Sequence, residues 1–295
     1  MNHQNFIQFN RKRDLGTILS DTFKFLSIEW KPLFITILRV AIIPILVAIC
    51  AMVYYIMSFT TLFGSLAQSS NPDILFESMT SSEILYPVLA FSISYLVAYS
   101  LMTVSAMSYI KSYIVNNGLV NYEEISNLTK NKFWSYVGLF FLNGLIVTFG
   151  TMFCFLPGIY FGVVLSLSTC LLLFQNKSVT DAISDSFSFI KNHWWETFGI
   201  LIVVYLINLF VSFIVGLPAS LYQSSNLVES ILQNENPDEI LNIFSDPIYI
   251  SLLVFSYFVN FMIYIIWTVI LVFIYYDIKE QKNPSTDIID KIGAE

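Results

Sequence analysis

The sequence predicts an all-α membrane protein: six transmembrane helices in three parallel repeats, each an interfacial helix followed by a two-span hairpin. Three observations carry this expectation. The 295-residue chain is 56% hydrophobic and only 12% charged, where a soluble domain carries roughly twice that charge fraction. Several nearly uncharged stretches of about 20 residues or more could each cross a hydrocarbon core of about 30 Å. Finally, residues 13–35 recur as residues 177–199: at a constant offset, Ser20, Asp21, Phe23, Phe25, Trp30 and Phe34 match Ser184, Asp185, Phe187, Phe189, Trp194 and Phe198. No polar–apolar alternation of the kind that builds a membrane β-barrel is visible.

Taken in order, residues 1–12 read as a short disordered tail. Asp14 suits the cap of a first interfacial helix over about 14–29, because its carboxylate can accept from a free amide of the first turn. Leu15, Ile18, Leu19, Thr22, Leu26 and Trp30 then recur at helical spacing. Pro32 is expected to break or bend the chain, with span 1 over about 33–57. Residues 58–83 read as an external loop. Span 2 covers about 84–115 and stops at Asn116-Asn117-Gly118. A second interfacial helix starts at Asn121, with Glu124 placed for a capping box.

Span 3 is expected over about 133–155 and span 4 over about 159–175. The Pro157-Gly158 pair between them predicts a tight turn. The third interfacial helix, 177–193, has Ser178 and Asp181 as a capping pair and feeds span 5, about 195–217. Gly216-Leu217-Pro218 should end that span. The acidic stretch 222–247 reads as a loop able to hold a short surface helix, and span 6 follows over about 248–275. The whole is a single polytopic membrane domain over 1–295. Its repeat units run from about 14 to 115, 121 to 175 and 178 to 275, with a cytoplasmic tail at 276–295 along the membrane surface. Units one and three match residue by residue; unit two shares only the layout.

Charge orients this arrangement. Apart from Arg39, every Lys and Arg lies in or beside a segment on one side of the spans, and the three opposite segments contain none. Positive residues mark the cytoplasmic face, so both termini are expected there, in a bacterial cytoplasmic (inner) membrane. No secretory signal is expected, since the first thirteen residues are polar.

Few residues invite chemistry. Cys50, Cys154 and Cys170 fall within expected spans, without metal-ligand or disulfide spacing, and read as small buried apolar residues. No cofactor motif, paired intramembrane carboxylates or basic nucleic-acid stripe is present, so no cofactor, enzyme activity or nucleic-acid partner is expected. Arg39 is the one charge inside a span. It either snorkels to the headgroups and packs there, or contacts a lipid phosphate or substrate. Asn143, Asn208 and Asn260 can hydrogen-bond between spans, or line a polar path. His193 sits beside Trp194 and Trp195 as an interfacial anchor. Asp21 and Asp185 occupy equivalent positions, where each can cap a helix or pair with a basic group of a neighbouring unit.

Four motifs resemble a known family: RDLGTILSDTFKF at 13–25, FLPGIY at 155–160, the run at 182–199 and IYYDIK at 274–279. Together they resemble a broad bacterial family of integral membrane proteins, similar to the membrane domain carried by some glycerophosphoryl diester phosphodiesterases. The resemblance implies a six-span membrane module. In the fused enzymes hydrolysis belongs to a separate barrel domain, which this chain lacks, so no catalytic residue carries over. The expected role is a non-enzymatic scaffold or accessory module that handles lipid or assists a membrane protein partner. The alternative is a small-molecule or lipid transporter.

Overall fold

The computed structural model describes residues 6–67, 81–232 and 242–283. It is an all-α membrane protein, with no strand among the described residues and six helical segments long and apolar enough to span a bilayer. The helices are α1 (Leu15–Ala67), α2 (Ser82–Val115), α3 (Tyr122–Phe153), α4 (Phe155–Ser166), α5 (Ser168–Phe174), α6 (Val179–Ile190), α7 (Trp194–Leu232) and α8 (Pro247–Lys282), with a 3-10 turn at Asn242–Ser245 before α8. Helices α4 and α5 together make the fourth span, Phe155–Phe174.

Two prolines do not act as expected. Pro32 sits inside α1, which runs unbroken for 53 residues. A mid-helix proline costs about 3 kcal/mol through one lost hydrogen bond and a clash. That cost is opposed by a single buried stripe, Ile18, Thr22, Phe25, Leu33, Ile37, Ala41, Ile45, Ala48 and Met52, at the spacing of one helix face. Pro218 likewise lies within α7, which continues to Leu232. The predicted loops therefore start later than the composition suggests. Their parts at 68–80 and 233–241 lie outside the described residues.

The hairpin between spans 3 and 4 forms, but its turn is at Cys154, which is extended (φ −167°, ψ 149°). Pro157 falls in the first turn of α4, where its missing N–H is harmless. Gly158 instead serves close packing: a Cβ there would collide with Thr151 Cγ2. The cysteines correct the sequence reading in part. Cys170 is buried, but Cys50 and Cys154 are exposed. Cys154 is exposed because it occupies the hairpin turn.

Two compact units emerge. The first comprises Met1–Val40, Ser100–Leu206 and Tyr264–Glu295; the second comprises Ala41–Tyr99 and Ile207–Ile263.

In the first unit, two helix segments are buried all round, as the core of a bundle must be. One is the end of α2, where Thr103, Val104, Ser105, Ala106, Met107, Ser108, Tyr109 and Ile110 are all covered. The other is the end of α8, from Val269 to Ile278. The tail expected from Tyr276 is thus helical up to Lys282, with Asp277 and Glu280 buried. Its remainder, 284–295, lies outside the described residues. Small residues on α2 let neighbouring backbones approach closely.

The second unit is held by aromatic contacts. Tyr55 stacks on Phe91 at 5.7 Å, and Tyr95 meets Phe261 at 5.5 Å. A cavity of about 420 Å³ is lined by Tyr55, Phe59, Tyr249, Leu253 and Tyr257 among others.

Candidate functional site

The expected N-terminal tail is in fact structured from Phe6 onward, and it converges on Arg13. Phe9 is fully buried, stacked on Phe273 at 4.5 Å and edge-on to Phe25 at 5.5 Å. Burying one such ring contributes roughly 1.5–3 kcal/mol. The Ile7 amide donates to the Tyr113 hydroxyl at 3.2 Å, and Phe6 stacks on the same ring.

This docking curls the backbone around the Arg13 guanidinium. Nη1 donates to the carbonyls of Phe9 at 2.6 Å and Arg11 at 3.0 Å, and Nη2 donates to that of Gln8. Nε donates to Asp21 Oδ2 at 2.8 Å. The planar, five-donor fork of arginine fits such a set of fixed acceptors. Phe273 lies beneath the group, 5.0 Å from Cζ. Burial pushes the Arg13 pKa below its ordinary value, while the hydrogen bond and charge of Asp21 pull it back up. It stays ionised, because arginine starts far above neutrality.

The Arg13 backbone amide donates to Asp277 Oδ1 at 2.7 Å, and Gln281 Nε2 donates to the other carboxylate oxygen at 2.9 Å. Beside this junction lies a cavity of about 600 Å³, whose lining includes Arg11, Lys12, Leu15, Glu196, Asp277 and Gln281.

Asp21 therefore pairs eight residues back along its own chain segment, rather than with a neighbouring unit. Asp185 does the same with Lys177, also eight residues back. The caps agree in register. Asp14 accepts from the Thr17 amide at 2.8 Å, and Ser178 accepts from the Asp181 amide at 3.2 Å. The Thr17 side chain, and then its amide, hold the Asp14 carboxyl below its ordinary value. Asn121 caps α3 through the Glu123 amide. Glu124 does not complete the expected capping box; it accepts from Ser112 Oγ at 2.9 Å and Asn116 Nδ2 at 3.1 Å.

Counting from each cap, the fourth residue is buried in all three helices: Ile18, Ile125 and Ala182. The eighth is a buried hydroxyl bonded to the preceding turn: Thr22 to Ile18, Thr129 to Ile125, Ser186 to Ile183. The helices then diverge. The stretch of α1 matching Lys191-Asn192-His193 is helical, whereas α6 ends at Ile190 and α7 starts at Trp194. Asn and His are poorer helix formers than the Ile28 and Glu29 they match.

The other sequence candidates are scattered. His193 Nδ1 lies 3.2 Å from Glu196 Oε2 at the turn before α7. Arg39 is exposed, with its guanidinium 5.4 Å from the ring of Tyr122. Tyr122 opens α3 beside Glu123 and Glu124, so the Arg39 charge reaches the polar end of that helix. Asn143 Nδ2 donates to Ser168 Oγ at 2.8 Å, across to the break between α4 and α5. In the second unit, Ser212 Oγ lies 3.1 Å from Asn208 Oδ1 and 2.5 Å from Asn260 Oδ1.

Sequence reasoning missed Arg13 as a buried hub. The one available signal is that Lys177 holds the same place in the matching segment.

Comparison with known proteins finds no match to this chain: no family model, no curated protein and no solved structure.

Proposed function

We propose that this chain is a non-enzymatic scaffold or accessory module of the bacterial cytoplasmic membrane, handling lipid or assisting a membrane protein partner. The observation that carries the reading is how the charges at one end of the bundle are used. Arg13 is bonded to Asp21, Lys177 to Asp185, Lys111 to the Leu173 carbonyl at 2.6 Å and Lys282 to the Ser188 carbonyl at 2.8 Å. Groups held this way brace helices, a role that differs from proton transfer or nucleophilic attack.

Charge also supports the orientation. All 14 Lys and Arg fall within the sequence ranges of the first unit, and the charged residues in those of the second are all acidic. By the positive-inside tendency, the segments that carry Lys and Arg, with both termini, face the cytoplasm. The shared register of cap, buried fourth residue and buried eighth hydroxyl supports three parallel repeats, including the second, whose sequence hardly matches. The likeness to phosphodiesterase membrane domains belongs to this proposal and rests on the four motifs.

A transporter is the second reading, favoured by the Asn208–Ser212–Asn260 polar cluster among apolar helices. Native mass spectrometry of protein extracted gently from its own membrane tests the choice. A stoichiometric protein partner supports the scaffold. Solute movement in vesicles containing the protein alone would replace it with transport.

A further inference from the structure

We propose that the cavity beside Arg13 binds a phosphoethanolamine headgroup, supplied by a membrane phospholipid. The proposal rests on the lipid-handling side of the reading above and names its ligand. The lining combines opposite charges from different elements. Arg11 and Lys12 come from the segment ahead of α1, Glu196 from α7, and Asp277 from α8. Arg11 already lies 3.6 Å from Asp21 and Glu196 lies 3.2 Å from His193, while Lys12 has no ion pair among the described residues and Asp277 keeps spare lone pairs. A purely anionic ligand would engage only the basic side chains, and a purely cationic one only the carboxylates. A zwitterion answers both.

The cation is a primary amine for two reasons. No aromatic ring is among the described residues that line it, whereas quaternary ammonium groups are recognised by aromatic faces. The acceptors present suit N–H donors instead. Asp277 is buried and accepts one hydrogen bond on each oxygen, and a carboxylate has about four lone-pair sites. Glu196 is exposed, with 67% of its side chain accessible, and its second carboxylate oxygen is left over from the 3.2 Å contact with His193.

The remaining lining is apolar. Leu15, Ile18 and Ile200 border the same cavity, and Leu15 is 42% exposed. That surface suits the glycerol and first methylenes of a lipid. Trp195, beside Glu196 and 76% exposed, is the residue type that marks headgroup depth. Arg13 itself stays outside the recognition, because Asp21 and backbone carbonyls already occupy most of its donors.

The test is native mass spectrometry of the delipidated full chain in detergent, titrated with phosphatidylethanolamine, phosphatidylcholine or phosphatidylglycerol of identical acyl chains. Phosphatidylethanolamine should be retained about tenfold more tightly than either of the others. The double variant Arg11→Ala, Lys12→Ala should lose retention, and Glu196→Gln should bring phosphatidylethanolamine down to the phosphatidylcholine level. These side chains are exposed, so the variants keep the fold, which the thermal midpoint verifies. Equal retention of the three lipids, or unchanged selectivity in Glu196→Gln, overturns the proposal. Displacement by equimolar glycerophosphoethanolamine supports the site but assigns it to a soluble headgroup; its failure to displace supports the lipid. A protein partner found by gentle extraction bears on the scaffold reading alone, so the two readings fail separately.

Discussion

The backbone amide of Arg13 donates to the carboxylate of Asp277 at 2.7 Å, across 264 residues of sequence. The bond ties the segment before the first helix to the end of the last. Asp277→Asn keeps an acceptor for that amide and should change stability little. Asp277→Ala leaves a buried N–H without a partner, at about 1–3 kcal/mol. Thermal unfolding in detergent should therefore order the proteins as wild type, Asn, then Ala, and equal midpoints for Asn and Ala would remove the latch.

The two ion pairs at matching positions should differ in weight. The Arg13 side chain is wholly buried, whereas those of Lys177 and Asp185 are 31% and 40% exposed. Asp21→Asn strands a buried cation and should cost about 3 kcal/mol. Asp185→Asn breaks a solvated pair and should cost no more than about 1 kcal/mol. Denaturation of both variants checks the contrast, with the difference shrinking little in high salt because the first pair is shielded from it.

The Asp14 cap should show in acid. Its folded-state pKa is depressed by Thr17, first through its side chain and then through its backbone amide. Its contribution is thus present above the unfolded value, about 3.9, and is lost as pH falls through the lower folded value. Asp14→Asn should be less stable than wild type at neutral pH, and that gap should close below about pH 4. A gap that persists undiminished at low pH would show that the carboxylate charge is irrelevant.

Glycine substitutions along the hairpin should split sharply. Gly158→Ala places a methyl against Thr151 and must push α3 and α4 apart, while a methyl at Gly144 would meet nothing within 4 Å. Gly144→Ala should be neutral or stabilise α3 by up to about 1 kcal/mol. Yield and thermal midpoint of the two variants give the comparison.

Cys154 tests the orientation. Its turn exposes backbone polar groups, which must meet water or headgroups rather than hydrocarbon. Under the proposed sidedness, a membrane-impermeant thiol reagent added to intact spheroplasts should label Cys154, and leave buried Cys170 unmodified. Labelling of Cys154 only in inverted vesicles would reverse the topology.

Much of the helical pattern is legible in the sequence because it is local. The caps at Asp14, Asn121 and Ser178 can be read from residue type and the apolar period that follows each. The hairpin turn at Cys154 comes three residues before the Pro-Gly pair. That pair is a turn signal in water, whereas here proline opens a helix and glycine admits Thr151. The helix start at Asn121 is hard to align with those at Asp14 and Ser178, because what they share is burial at the fourth position and a hydroxyl at the eighth, which many sequences satisfy. Of the candidate site, Asp21 is visible through the repeat. Asp277 has the sequence surroundings of a surface tail, because nothing near it along the chain signals burial.

By itself the sequence determined the class, the six apolar segments, the helix starts and the one-sided distribution of Lys and Arg. Each depends on composition or on spacing within one or two helical turns. The tertiary structure decided where helices end and which charges are enclosed. Pro32 and Pro218 are carried within helices, and in α1 a continuous buried stripe opposes the local cost. The polar segment before α1 becomes a packed strap because Phe9 meets Phe25 of α1 together with Tyr113 and Phe273, which lie in helices far along the chain. Such contacts depend on the folded partners, and no local period encodes them.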